Sequence, residues 1–200
     1  MGYYTRVFTT AESCIALSIL TSALVENGSD ATIESVDDAE NWEHLTLKDA
    51  GGCEIALIER NIVEGESLGR AELQEFEDEL EYVYPKSSCA WLKQFFQRVQ
   101  CIYTFQHLKG SHGESGFAAL QTVRSAIWAN SPAIIQADGE GFTNEDGYHI
   151  TWEFSDSVTG EWWMGLLCKD KWVHFQMDLG NAEHRTAFKN SIVPKGVKFA

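Results

Sequence analysis

The chain has 200 residues, a formal net charge of −15 and a sequence pI near 4.7. Such a charge is repelled by phosphate backbones and anionic membranes, which argues against nucleic-acid or membrane-surface binding. At 44% hydrophobic, 12% aromatic and 22% charged residues, the chain has material for a core and lacks the profile of disorder.

In chain order, residues 3–8 are aromatic and β-branched and read as a strand. Thr9 and Glu12 match the S/T-x-x-E capping box, so a helix is expected from about Thr10. Ile15, Ala16, Ile19, Leu20, Ala23 and Leu24 carry its spacing, and Asn27-Gly28 stops it. Residues 31–36 read as a short strand and 37–43 as an acidic turn. Residues 44–48 and 54–59 flank Asp49-Ala50-Gly51-Gly52, a hairpin loop.

Residues 64–82 predict an acidic helix with Leu68, Leu73, Phe76, Leu80 and Val83 as its apolar stripe, broken by Pro85. Ser87 or Ser88 is placed to cap a second helix, whose apolar face is Trp91, Leu92, Phe95, Phe96 and Val99. Residues 101–108 read as a strand, 109–116 as a polar loop and 117–129 as a helix ended by Asn130-Ser131-Pro132. Residues 133–137 are a strand and 138–147 a turn-rich loop.

The clearest pattern lies in residues 148–179. Tyr148, Ile150, Trp152 and Phe154 alternate with His149, Thr151 and Glu153. Val173, Phe175, Met177 and Leu179 alternate with Trp172, His174, Gln176 and Asp178. Period two is the mark of a strand with one buried face, so this run predicts an antiparallel meander with a dry and a wet side. Strands in hairpins with helices beside them give an α+β fold, a mainly antiparallel sheet with helices packed on one side. The order of elements also suggests two tandem β-α-β-β-type halves, 1–62 and 100–200, joined by a helical connector, 63–99, in one compact unit.

Charge is uneven. The first half is acidic, whereas residues 185–200 hold Arg185, Lys189, Lys195 and Lys198 and no carboxylate. The five cysteines are scattered and include no CxxC pair, which opposes a disulfide framework or zinc knuckle. The apolar run 14–25 is interrupted by Ser18, Thr21 and Ser22 and lacks a cleavage pattern. Arg6 occupies the place a myristoylation signal needs for Ser or Thr. A cytoplasmic chain is expected.

Three features bear on chemistry. The loop 136–149 gathers Asp138, Glu140, Glu145 and Asp146, but Phe142 stands where an EF-hand needs an oxygen ligand, so calcium is not predicted. The wet side of the meander carries His149, Glu153, His174 and Asp178; His149 and Glu153 lie about 13 Å apart along a strand, so any shared site must be cross-strand. Trp162 and Trp163 are consecutive and must point to opposite sides, and Trp172 shares a side with His174. No nucleophile elbow, phosphate loop or dinucleotide fingerprint is present, and no metal or cofactor is implied.

These patterns point away from catalysis. The leading expectation is a binding protein for a basic protein partner, for example a cytoplasmic inhibitor or immunity protein. Its binding residues are expected among Trp162, Trp163, Trp172, His174, His149, Asp178, Asp138 and Glu140. The alternatives are a small-molecule-binding protein or hydrolase-like enzyme, with a pocket where the two halves meet, and a subunit of a larger complex.

Overall fold

The computed structural model describes residues 2–35 and 39–200; the predicted strand end at Val36 and the turn residues Asp37 and Asp38 lie outside the described residues. In chain order the elements are β1 (Tyr3–Thr9), α1 (Leu17–Glu26), β2 (Thr32–Ser35), β3 (His44–Lys48), β4 (Glu54–Ile62), α2 (Leu68–Glu79), α3 (Lys86–Phe96) and β5 (Cys101–His107). There follow α4 (Glu114–Ala129), β6 (Ala133–Ala137), β7 (Gly141–Phe142), β8 (Glu161–Cys168), β9 (Lys171–Asp178), α5 (Ala182–Lys189) and β10 (Lys198–Phe199). The fold is α+β with helices packed on mainly antiparallel sheet. No helix among the described residues is long and apolar enough to cross a membrane.

Two compact units are interleaved along the chain: Met1–Arg70 with Val99–Ala133, and Ala71–Arg98 with Ile134–Ala200. In unit 1 the strand order is β2-β3-β4-β5-β1, each neighbour antiparallel. β5 opens the predicted 100–200 half, yet it pairs with both β1 and β4 and belongs to unit 1. Helices α1 and α4 pack together, and α4 lies on β1 and β4. Val7, Phe8, Leu45, Ile58 and Phe105 are fully or almost fully buried in this unit.

Helix α1 starts at Leu17, not near Thr10. The capping box fails because Thr9 is already committed. Thr9 ends β1, and its hydroxyl meets the Ser131 hydroxyl and accepts from the Ala11 N–H. Ile15 then spends both backbone groups on side chains: its N–H donates to the Tyr103 hydroxyl at 3.4 Å, and its carbonyl accepts the Trp42 indole N–H at 2.9 Å. Trp42, 0% exposed, sits in the stretch read as an acidic turn, and the buried Arg60 guanidinium donates to its carbonyl at 2.8 Å. A polar group removed from water needs such partners.

In unit 2 a β8–β9 hairpin with β10 on its outer edge forms a three-stranded antiparallel sheet, in register Trp163↔Gln176 and Gly165↔His174. One side of it builds a core of Trp152, Phe154, Met164, Leu166, Phe175, Met177, Leu179 and Phe188. The β6–β7 hairpin inserts Phe142 edge-on to Phe76 at 5.5 Å and against Phe96 at 5.6 Å. The loop position that ruled out calcium is therefore a core residue.

Four further expectations change. Residues 148–154 are not a strand. Their N–H groups go to separate partners: His149 to the Trp163 carbonyl, Ile150 to that of Phe142, Trp152 to that of Tyr84. Ile150, Trp152 and Phe154 are buried as the alternation requires, but so is Thr151, whose hydroxyl accepts the Phe142 N–H at 2.7 Å. Helix α3 is capped by Pro85, whose carbonyl takes the Cys89 N–H, while Ser88 is buried inside the helix. Helix α4 begins at Glu114, three residues before Phe117, and Leu68 of the predicted stripe is exposed.

Candidate functional site

The register of the β8–β9 hairpin sorts the predicted residues by side. Trp162, Met164, Val173, Phe175 and Met177 face the core; Glu161, Trp163, Gly165, Trp172, His174, Gln176 and Asp178 face the other way. Trp162 packs on Phe154 at 4.9 Å between ring centroids. Trp163 is 37% exposed. The two consecutive tryptophans thus point to opposite sides, as the pleat demands.

His174 is the centre of the outer face. Its ring lies flat on Tyr148, with centroids 3.7 Å apart and planes 3° apart, and Tyr148 in turn meets Trp163 edge-on at 6.0 Å. Gly165 makes this stack possible. A Cβ there would come within 3.3 Å of His174 and of Ile150 and 3.5 Å of Tyr148. An isolated glycine inside a strand marks this kind of close approach.

Asn144, 0% exposed, holds the stack from below. Its Oδ1 accepts the N–H groups of Asp146 at 3.1 Å and Tyr148 at 2.9 Å, which fixes the amide orientation. Its Nδ2 therefore donates to His174 Nε2 at 3.0 Å, so that nitrogen is an unprotonated acceptor. Burial lowers the His174 pKa, against the pull of the Asp146 carboxylate 3.7 Å from Nε2. His174 is thus held as a neutral, oriented ring.

His149 does not join it. Its ring packs on Trp162 at 4.9 Å and Phe154 at 5.6 Å, on the core side of the sheet. His149, expected on the wet side with His174 and Asp178, is thus on the opposite side of the sheet from them. Trp172, on the outer side, is half-buried against Trp91 of α3 at 5.2 Å, so that end of the face is covered. Asp178 is exposed opposite Glu161 and accepts the Gly180 N–H at 2.8 Å.

The loop acids fall into a different place. Asp138 and Glu140 are half-buried in the β6–β7 turn, where the Glu140 N–H reaches the Ala137 carbonyl at 3.0 Å. Glu153 lies against β7: a Cβ on Gly141 would come 3.2 Å from its carboxylate. Burial, with the charges of Glu79 and Asp138, pushes Glu153 up to about 7. An acid raised in the folded state stabilises fully below its unfolded pKa and loses that contribution as pH rises through the folded value. Glu153→Gln should therefore gain about 2–3 kcal/mol on the parent between pH 5 and pH 8.5, read from urea melts at both values. Equal differences at both pH values would refute that assignment.

Three of the thiols are poor candidates for a nucleophile. All five cysteines are free, and burial raises Cys14, Cys89 and Cys101, the last to about 12. Among the described residues no group of three or more His, Cys, Asp or Glu side chains is arranged to hold a metal ion. A cleft of about 460 Å³ lies in unit 1, lined by Ser29, Asp30, Asp49, Ile55, Ser115 and Thr122 among others, and holds none of the predicted site residues.

Asn144 and Gly165 are the residues of this face that sequence reasoning passed over; it reads Tyr148 on the dry side and Asp146 only as one of the loop acids. Asn-x-Asp-Gly is an Asx-turn signal and a lone glycine in a strand signals close packing, so both signals were present. Compared with protein-family models, curated proteins and solved structures, the chain matches none.

Proposed function

We propose that this chain is a non-catalytic binding protein for a basic protein partner, and that it docks through the outer face of the β8–β9 hairpin, centred on Trp163. The observation that carries the reading is the rigid aromatic ladder Trp163–Tyr148–His174 fastened to buried Asn144. An exposed indole whose position is already fixed loses little entropy on binding, which is what makes tryptophan and tyrosine frequent anchors of interfaces. Asp146, Glu161 and Asp178 are exposed on the same side of the hairpin or beside the His174 ring. With a net charge of −15 they favour fast, salt-sensitive association with a basic surface. A cytoplasmic inhibitor or immunity protein against a basic toxin is one form of this function.

The test uses the immobilised chain and its Trp163→Ala variant as paired baits at low salt. A basic protein retained by the parent, lost from the variant and released by salt supports the reading; identical retention by both baits refutes it. A second reading, small-molecule binding, is favoured by the unit 1 cleft, whose volume is in the range of ligand sites. A thermal-shift panel on the full chain tests it, and an absence of any shift across the panel removes it.

A further inference from the structure

The outer face already holds a cation, and it comes from the protein itself. β10 pairs antiparallel with β9 in register Lys198↔Gln176 and Phe199↔Phe175, and Trp163 pairs with Gln176 from the other side. Lys198, Gln176 and Trp163 thus form one row across three strands, and the Lys198 ammonium lies over the Trp163 ring at 6.0 Å from its centroid. That is cation–π distance.

The strand delivering this lysine is weakly held. It is two residues long, and one further bond, Ala200 N–H to the His174 carbonyl at 3.1 Å, continues it. Phe199 is 60% exposed, and Lys198 is exposed too, so the strand itself buries little apolar surface. The anchoring lies before it, in buried Pro194 and in Val197, which packs on the core. β9 continues beyond this pairing through Lys171–Val173, beside which no strand lies on that edge among the described residues.

We propose that β10 is a place-holder, and that the basic partner enters as an extended segment which displaces it, pairs with the outer edge of β9 and seats a lysine or arginine over Trp163. This rests on the reading of the face as the binding surface and names its mode, strand addition. The tail shows the chemistry of the occupant. Residues 185–200 contain four basic residues and no carboxylate, and they lie against a protein of opposite net charge. Main-chain pairing would supply affinity, and the indole with the Glu161, Asp178 and Asp146 carboxylates would select the cation.

The test titrates the full chain with a labelled peptide of alternating lysine and valine, read by fluorescence anisotropy. Lys198→Ala frees the seat and should bind the peptide about five-fold more tightly than the parent, since self-occupancy lowers apparent affinity by the fraction of open sites. Lys195→Ala removes the same charge from the same tail, outside the strand, and should bind like the parent. Trp163→Ala should bind weakly or not at all, and Trp163→Leu gives the same loss should the alanine variant fail to fold. Equal or weaker binding by Lys198→Ala, with binding still lost in the Trp163 variants, would overturn the place-holder while leaving the face intact. Binding indifferent to Trp163, or absent from every form, would overturn both.

Discussion

Asn144→Ala is expected to destabilise unit 2 by about 3 kcal/mol, because it strands buried polar groups rather than merely deleting a contact. The side chain satisfies two backbone N–H groups, of Asp146 and Tyr148, and a third partner in His174. Its own backbone closes the same loop, the N–H donating to the Tyr148 carbonyl and the carbonyl accepting from Gly147. Alanine takes from the two side-chain-bonded N–H groups and the imidazole nitrogen the partner that the fully buried Asn144 amide supplies. The Tyr148 ring is then no longer held flat on His174, so Trp163 loses its support, and partner binding should fall along with stability. Asn144→Asp is the informative companion. It still accepts both N–H groups, but it can no longer donate to Nε2. It should retain most of the stability and raise the His174 pKa, visible in the imidazole proton shifts across a pH titration. An Asn144→Ala protein with parental urea melts and parental binding would contradict the scaffold role.

Gly116→Ala is expected to cost about 2–3 kcal/mol, although alanine normally gains near 1 kcal/mol over glycine inside a helix. Gly116 lies in the first turn of α4, and a Cβ there would fall 2.0 Å from the Gly110 carbonyl oxygen. That oxygen is backbone, in the short 3-10 turn Lys109–His112, and cannot swing aside. Gly110 is itself wedged, since its own Cβ would come 2.7 Å from the Glu54 carbonyl. The turn cannot retreat, so α4 must lift from β4 and lose buried contacts of Ala119, Leu120 and Val123. Gly113→Ala is the control on the same stretch: its Cβ would meet only the Gly110 oxygen, at 3.9 Å, and φ is −85°. At the N-cap of α4, where alanine is a poorer residue than glycine, it should cost no more than about 1 kcal/mol. Equal melts for the two variants would contradict the packing described.

Periodicity carried most of the secondary structure because side-chain alternation and helical spacing are local consequences of burial. The β3–β4 hairpin, the β8–β9 hairpin and the opposite facing of Trp162 and Trp163 were legible for that reason. What escaped depended on partners distant in sequence. The Thr9–Glu12 capping box is a valid local signal, defeated by Tyr103 and Trp42 taking the backbone of Ile15. The 148–154 run alternates as a strand does, yet its N–H groups are divided among Phe142, Trp163 and Tyr84, so it never builds a ladder. The site divides in the same way. Trp163 and His174 could be read from the pleat, whereas Tyr148 emerged only when Gly165 let it lie on His174. His149 was misplaced by one step of alternation, which in extended chain is the difference between the two sides of a sheet.

The central claim is that the outer face of the β8–β9 hairpin takes a basic ligand. It is tested most directly by titrating the ¹⁵N-labelled chain with the lysine–valine peptide and following amide and indole resonances. The largest shifts should fall on the Trp163 indole and on the amides of Glu161, His174 and Gln176, and should fade near 1 M salt, where the screening length is about 3 Å. Shifts centred on the unit 1 cleft around Asp30 and Asp49, or spread evenly along the acidic helix α2 with Trp163 unmoved, would contradict it.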